Sequence, residues 1–278
     1  RTGHKKFNRF VNNYKSSGVV KFVFLTMLKI VLLGTGNLAT HLFEAFAQSK
    51  AANVVQVFGR KSAGLAPFKE KVATTDDPGK LQKADIYICA VSDNAIELVA
   101  QYPQNEAAIV VHCSGAVALS ALPEEGKRGV FYPLQSFTKG SQVDFSKVPV
   151  CVEAEKQEVL DVLLALGKSI SHTCISIDSE QRKALHLAAV FANNFTNHLL
   201  HRASTICQEY NLPFSLLKPL IAETVAKLDT LSPLEAQTGP ARRGDRDTQQ
   251  KHMKLMGDIQ DREIYRMLSQ VIQDTYGN

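Results

Sequence analysis

At 278 residues, 45% apolar and 21% charged, the chain has the composition of an ordinary globular protein, long enough for one large domain or two modest ones. Its net charge of +5 comes from the start of the chain, where residues 1–26 hold Arg1, Lys5, Lys6, Arg9, Lys15 and Lys21 and no acid. The remainder carries −1, which excludes a broad basic surface for nucleic acid. The five cysteines (Cys89, Cys113, Cys151, Cys174, Cys207) show no paired spacing, so neither a disulfide framework nor a metal site is predicted, and a reducing cytoplasm is expected.

Residues 1–26 read as an extension outside the fold. The segment begins with Arg rather than Met, and Met27 directly precedes the first convincing strand. Lys21 and Lys29 interrupt the apolar run, so it fits neither a secretory signal nor a membrane span of roughly 18 uncharged residues. Strands are predicted at 29–34, 54–59, 84–91, 108–113, 129–133, 149–152 and 173–177, with helices at 38–48, 95–101 and 156–166 between them. Buried runs alternating with helices predict an α/β fold, a Rossmann-type doubly wound, mostly parallel sheet over residues 27–178. Beyond residue 178 the stretches 179–210, 213–231 and 245–276 all read as helices, an all-helical C-terminal domain over 179–278. Long helices of this kind commonly bury an apolar face in a second copy, so a homodimer is expected.

The first strand runs into Gly34-Thr35-Gly36-Asn37-Leu38-Ala39 and then an amphipathic helix. This is the order a dinucleotide site requires. Gly34 permits the sharp turn, Gly36 lets backbone approach a pyrophosphate, and Ala39 is small enough for close helix–strand packing. Asn37 and Leu38 open the helix, where free N–H groups favour an anion. The second strand ends without the carboxylate that binds the ribose hydroxyls of NAD. Arg60, Lys61 and Ser62 stand there instead. A guanidinium grips a 2′-phosphate, and such a contact contributes roughly 1.5–3 kcal/mol, so NADP is the expected cofactor.

Three further stretches fall at strand ends, where open α/β sheets bind ligands. Residues 90–96 (AVSDNAI) read as a helix start capped by Asp93 or Ser92, with Val91 and Ser92 beside the cofactor. Residues 111–116 (VHCSGA) bring Ser114, and 131–137 (FYPLQSF) bring Tyr132. Along residues 183–201, at ~100° per residue, Lys183, His186, Val190, Asn193, Asn194, Asn197 and His201 share one face. Asparagine and histidine are poor helix formers, and their concentration suits a polar cleft better than a solvated surface.

From Met27 onward the chain resembles an uncharacterised family of Rossmann-like proteins, labelled NADP oxidoreductases, with a helical C-terminal domain of unknown function. The segments that carry the resemblance are GTGNLATHL (34–42), HCSG (112–115), FYPLQSF, LHLAAVFANNFTNHL (185–199) and TGPARRGD (238–245). The family is similar to pyrroline-5-carboxylate reductase, ketopantoate reductase, prephenate dehydrogenase and the deazaflavin-dependent NADP reductases. Its C-terminal part looks like that of the 6-phosphogluconate dehydrogenases. The resemblance implies catalysis at His186, which aligns with a lysine of ketopantoate reductase, while Val190 replaces an asparagine four residues on. It places Tyr132 where prephenate dehydrogenase has a histidine, and gives Asn194 and Ser114 parts in catalysis. Asn193, Asn197 and Arg243 are expected to bind substrate. The implied activity is hydride transfer between NADP(H) and a small carbonyl or imine compound in an interdomain cleft. A nucleotide-binding sensor or scaffold whose chemistry has lapsed is the alternative. Neither nucleic acid nor membrane is an expected partner.

Overall fold

The computed structural model describes residues 11–16, 19–24 and 27–277, and the rest of the segment read as an N-terminal extension lies outside them. Within that segment β1 (Val11–Ser16) and β2 (Val19–Phe24) pair antiparallel as a two-stranded sheet of their own. The eight-stranded sheet is built from β3 (Leu28–Leu33), β4 (Ala52–Phe58), β5 (Ala73–Thr75), β6 (Ile86–Cys89), β7 (Ile109–His112), β8 (Lys127–Pro133), β9 (Val150–Ala154) and β10 (Cys174–Ser176). Its order is β10-β9-β8-β7-β6-β3-β4-β5. All pairings are parallel except β8 with β9. The order turns back on itself between β3 and β6, the crevice at which doubly wound sheets bind nucleotides.

Alternate residues of each strand feed separate apolar layers, as a two-fold strand period requires. Ile30, Leu32, Ile86, Ile88, Val111 and Phe131 face one layer. Val31, Leu33, Tyr87, Cys89, Val130 and Tyr132 face the other. Helix α1 (Asn37–Ala47) buries Ala39, Leu42, Ala45 and Phe46, one face at helical spacing, in the first layer. Helix α2 (Gln157–Lys168) adds Val159, Val162, Leu163 and Leu166 to it. Leu185, on α3 (Ser179–Ala189), packs on the second.

The chain divides into two compact units, Arg1–Ala188 and Ala189–Asn278. The division falls ten residues beyond the 178 expected from composition, because the first turns of α3 are tied to the sheet. The second unit begins with a π-helical turn, Val190–Phe195, in which the Thr196 hydroxyl donates to the Phe191 carbonyl five residues back at 3.2 Å. This wider turn breaks the helical register, so the single polar face expected from Lys183 to His201 does not run through unbroken. Helices α4 (Thr196–Glu209), α5 (Lys218–Ala226), α6 (Arg246–Leu255) and α7 (Ile259–Tyr276) follow. The expected single helix over 245–276 is two helices. Met256 is extended, and Asp258 caps α7 by accepting from the Gln260 N–H at 2.8 Å. Among the described residues no helix is long and apolar enough to cross a membrane.

Candidate cofactor and active site

At the end of β3, Gly34 has φ +134, and a Cβ there would lie 2.1 Å from the Ala90 carbonyl oxygen at the end of β6. Only glycine fits between the two strands at the switch point. Gly36, the N-cap of α1, is different: a Cβ on it would meet nothing within 4 Å. No side chain caps α1, and its first turn holds no acid. The helix thus presents uncapped N–H groups and its positive end to open space, the donor set a pyrophosphate needs. Ala39 is fully buried, as close helix–strand packing demands. Asn37 donates to the Phe137 carbonyl at 2.9 Å, which ties the loop after β8 to the start of α1, and Leu38 is half-buried against the core.

Arg60, Lys61 and Ser62 follow β4, all exposed, and among the described residues neither cation enters an ion pair. Sequence reasoning missed what brings them close. Thr35 lies against Gly59 and Gly64, whose Cβ atoms would come within 2.4 and 2.5 Å of its side chain. The basic loop is therefore packed onto the phosphate loop. Val91 lines Gly34, with its Cγ1 3.2 Å from where that Cβ would stand. Ser92 holds the N-cap position of the next helical turn but donates to Asn94 at 2.8 Å, and no side chain caps that turn. These residues fit a dinucleotide along the carboxyl edge of β3, β4 and β6.

A second cluster lies along the same edge, at the ends of β7 and β8. The Tyr132 hydroxyl and His186 Nδ1 are 3.1 Å apart, with the rings edge to face at 6.1 Å. Their floor is Gly115, where a Cβ would come within 2.7 Å of His186 Nδ1 and 2.8 Å of Tyr132 Cζ. Ser114 shapes this floor. Its hydroxyl oxygen accepts from the N–H groups of Ala116 (3.1 Å) and Val117 (3.0 Å), and its own N–H donates to His112 Nδ1 at 3.2 Å. Burial raises the Tyr132 phenol above its ordinary range, so it stays protonated. Burial, with the Arg182 charge second, holds His112 neutral by lowering it to about 4. Arg182 itself is fully buried and ion-paired with Glu153, a pair that no sequence motif announces.

The structure brings His186, Tyr132 and Ser114 together in the first unit. Asn193 and Asn194 fall in the π turn and Asn197 in the first turn of α4, all exposed residues of the second unit. Arg243 is exposed there too. Its neighbour Arg242 is engaged with the Glu235 and Gln237 carbonyls and lies 4.9 Å over the Tyr276 ring.

A glycine loop at the switch point of a doubly wound sheet defines a Rossmann-type dinucleotide-binding fold. The chain belongs to the family of Rossmann-like NADP oxidoreductases that carry a C-terminal domain of unknown function. Residues 29–115 match the family model described as NADP oxidoreductase, coenzyme F420-dependent, and residues 148–272 match domain of unknown function DUF2520. The "putative NADP oxidoreductase" of Bacteroides fragilis is 36% identical, with 89% of this chain and 98% of that one covered and a TM-score of 0.82. A protein of Thermotoga maritima shares the fold at 22% identity and TM-score 0.69, covering 89% and 98% of the two chains. So does the pyrroline-5-carboxylate reductase of Coxiella burnetii, at 15% and 0.54, covering 91% and 98%. No curated protein matches.

Proposed function

We propose that the protein is an NADP-dependent oxidoreductase acting on a small carbonyl or imine compound. The observation that carries this reading is the Tyr132–His186 contact of 3.1 Å over Gly115, at a strand end on the sheet edge that also carries the dinucleotide loop. Gly34, Gly36 and the first turn of α1 would hold the pyrophosphate, and Arg60, Lys61 and Ser62 the ribose 2′-phosphate. When bound, NADPH supplies the hydride. His186 supplies the proton: as the imidazolium it keeps Nδ1–H directed at the Tyr132 oxygen and gives up its Nε2 proton to the substrate oxygen or nitrogen. Histidine is the side chain most often used for such proton transfer. Tyr132, held protonated by burial, orients the ring and is not itself the proton source. Asn193, Asn194, Asn197 and Arg243 are proposed substrate contacts, and a homodimer is the proposed assembly.

The test has two arms. In equilibrium titration NADPH is expected to bind more tightly than NADH, and Arg60→Ala to weaken NADPH alone by about tenfold to a hundredfold. Equal affinities that Arg60→Ala leaves unchanged would defeat the phosphate clamp. In a screen of carbonyl and imine compounds for NADPH oxidation, His186→Ala is expected to lower kcat/KM by about 10²–10⁴. Turnover indifferent to that change removes His186 from the mechanism. Tight NADPH binding with no turnover of any compound favours the sensor reading.

A further inference from the structure

Among the described residues Arg182 heads the large side chains that are completely buried. Taking a guanidinium out of water costs several kcal/mol, and only a well-formed set of partners offsets it. Glu153 on β9 supplies the counter-charge, and its carboxylate also accepts from the Ser179 hydroxyl at 2.8 Å. Arg182 Nη2 donates to the Val117 carbonyl. Nε is buried and has no partner among the described residues. Stability is a poor reason for such an arrangement: apolar residues of similar volume often replace a buried ion pair without loss, and an orphaned N–H adds to the cost.

What a planar, forked donor adds is direction. Three segments meet on it, namely β9 through Glu153, the loop after β7 through Val117, and the first turn of α3 through Ser179. Each lies next to a part of the acid pair. His186 is one helical turn beyond Arg182 on α3. Gly115 precedes Val117 by two residues in the same loop. Glu153 stands opposite Val130 in the β8–β9 register, two residues before Tyr132.

We infer that Arg182 is a positioning residue: clamped between Glu153 and the Val117 carbonyl, it sets the rotation of α3 and the height of the 114–117 loop so that His186 Nδ1 meets the Tyr132 hydroxyl. The inference rests on the reading of Tyr132 and His186 as the acid pair and deepens it.

Histidine-selective ¹⁵N NMR of the whole protein tests it without nucleotide or substrate, His186 being assigned through His186→Gln. In the parent protein, at one fixed pH, Tyr132→Phe is expected to displace the His186 Nδ1 resonance, because it removes the hydroxyl that stands 3.1 Å from that nitrogen. In the double variant Arg182→Leu with Glu153→Leu, which leaves no unpaired charge, that displacement is expected to vanish while the thermal midpoint stays within about 5 °C. Arg182→Lys, which keeps the charge and loses the fork, is expected to at least halve it, and supplies the same readout should the double variant not fold. A role confined to stability would lower Tm and leave the displacement intact, and that result overturns the inference. So does a parent Nδ1 resonance indifferent to Tyr132→Phe. No nucleotide enters the measurement, so failure of the clamp and failure to bind NADPH are told apart.

Discussion

Gly34 and Gly36 are two residues apart and are glycines for opposite reasons. Gly34 answers to the protein itself: Gly34→Ala places a methyl 2.1 Å from the Ala90 carbonyl oxygen at a positive φ. It is expected to cost about 3 kcal/mol or more, read as a lower midpoint in denaturant. In the proposed function Gly36 answers to a ligand. Gly36→Val fills open space, so Tm is expected to move by no more than about 2 °C while NADPH affinity falls at least tenfold. Weakened folding with intact binding would refute that division. His112 gives a pH signature. Its folded-state pKa of about 4 lies below the ordinary 6.5, so the unfolded chain takes up the proton first on acidification. Stability is therefore full above about pH 6.5, falls as the pH drops toward 4 and then levels, a loss of up to about 3 kcal/mol. His112→Asn keeps an acceptor near the Ser114 N–H, and a melting series from pH 7 to 4 should show its slope flattened. The GTGNLA loop is legible in sequence because its reasons are local. Arg182 and Glu153 are not legible, since 29 residues separate them, on different elements, and neither residue type announces burial.

Among the elements, alternation of apolar runs with helical stretches was enough to reveal the sheet and its winding, because parallel strands buried on both faces read as unbroken apolar segments. β5 escaped because three residues (Ala73–Thr75), none of them buried, at a sheet edge leave no periodic trace. The break between α6 and α7 escaped because apolar residues continue at helical spacing through Met256, although Gly257-Asp258 is a stop followed by a cap. Asp258 has two duties there: it accepts from the Gln260 N–H, and it shares Arg202 with Asp261 at 2.7 Å. Asp258→Ala is expected to cost about 1–2 kcal/mol, most of it the cap, and Asp258→Asn markedly less because asparagine caps as well. Thermal melts of the two variants check this. Equal losses would place the weight on the ion pair instead.

At the scale of the whole molecule, the two units differ in what they bury. The first has two apolar layers on either face of a sheet. In the second, Ala241 is the one buried apolar residue among those described, alongside Asp261 and Ser269. Phe191, Leu220, Ile259 and Met267 are exposed at 62%, 63%, 69% and 67%. A helical unit of this size needs a core to offset its lost conformational entropy, and exposed apolar side chains in this number mark a surface that associates. In the proposed homodimer a second copy of the same chain would cover these faces through a self-complementary interface about a two-fold axis. Light scattering after size exclusion is accordingly expected to give about twice the chain mass of 30.6 kDa. Leu220→Glu combined with Met267→Glu would set like charges where apolar faces meet, and is expected to yield monomer or aggregate with a lowered Tm. A parent protein that runs as a stable monomer at roughly 10–100 μM, with the double variant melting alike, would mean that the second unit finds its core in some other way.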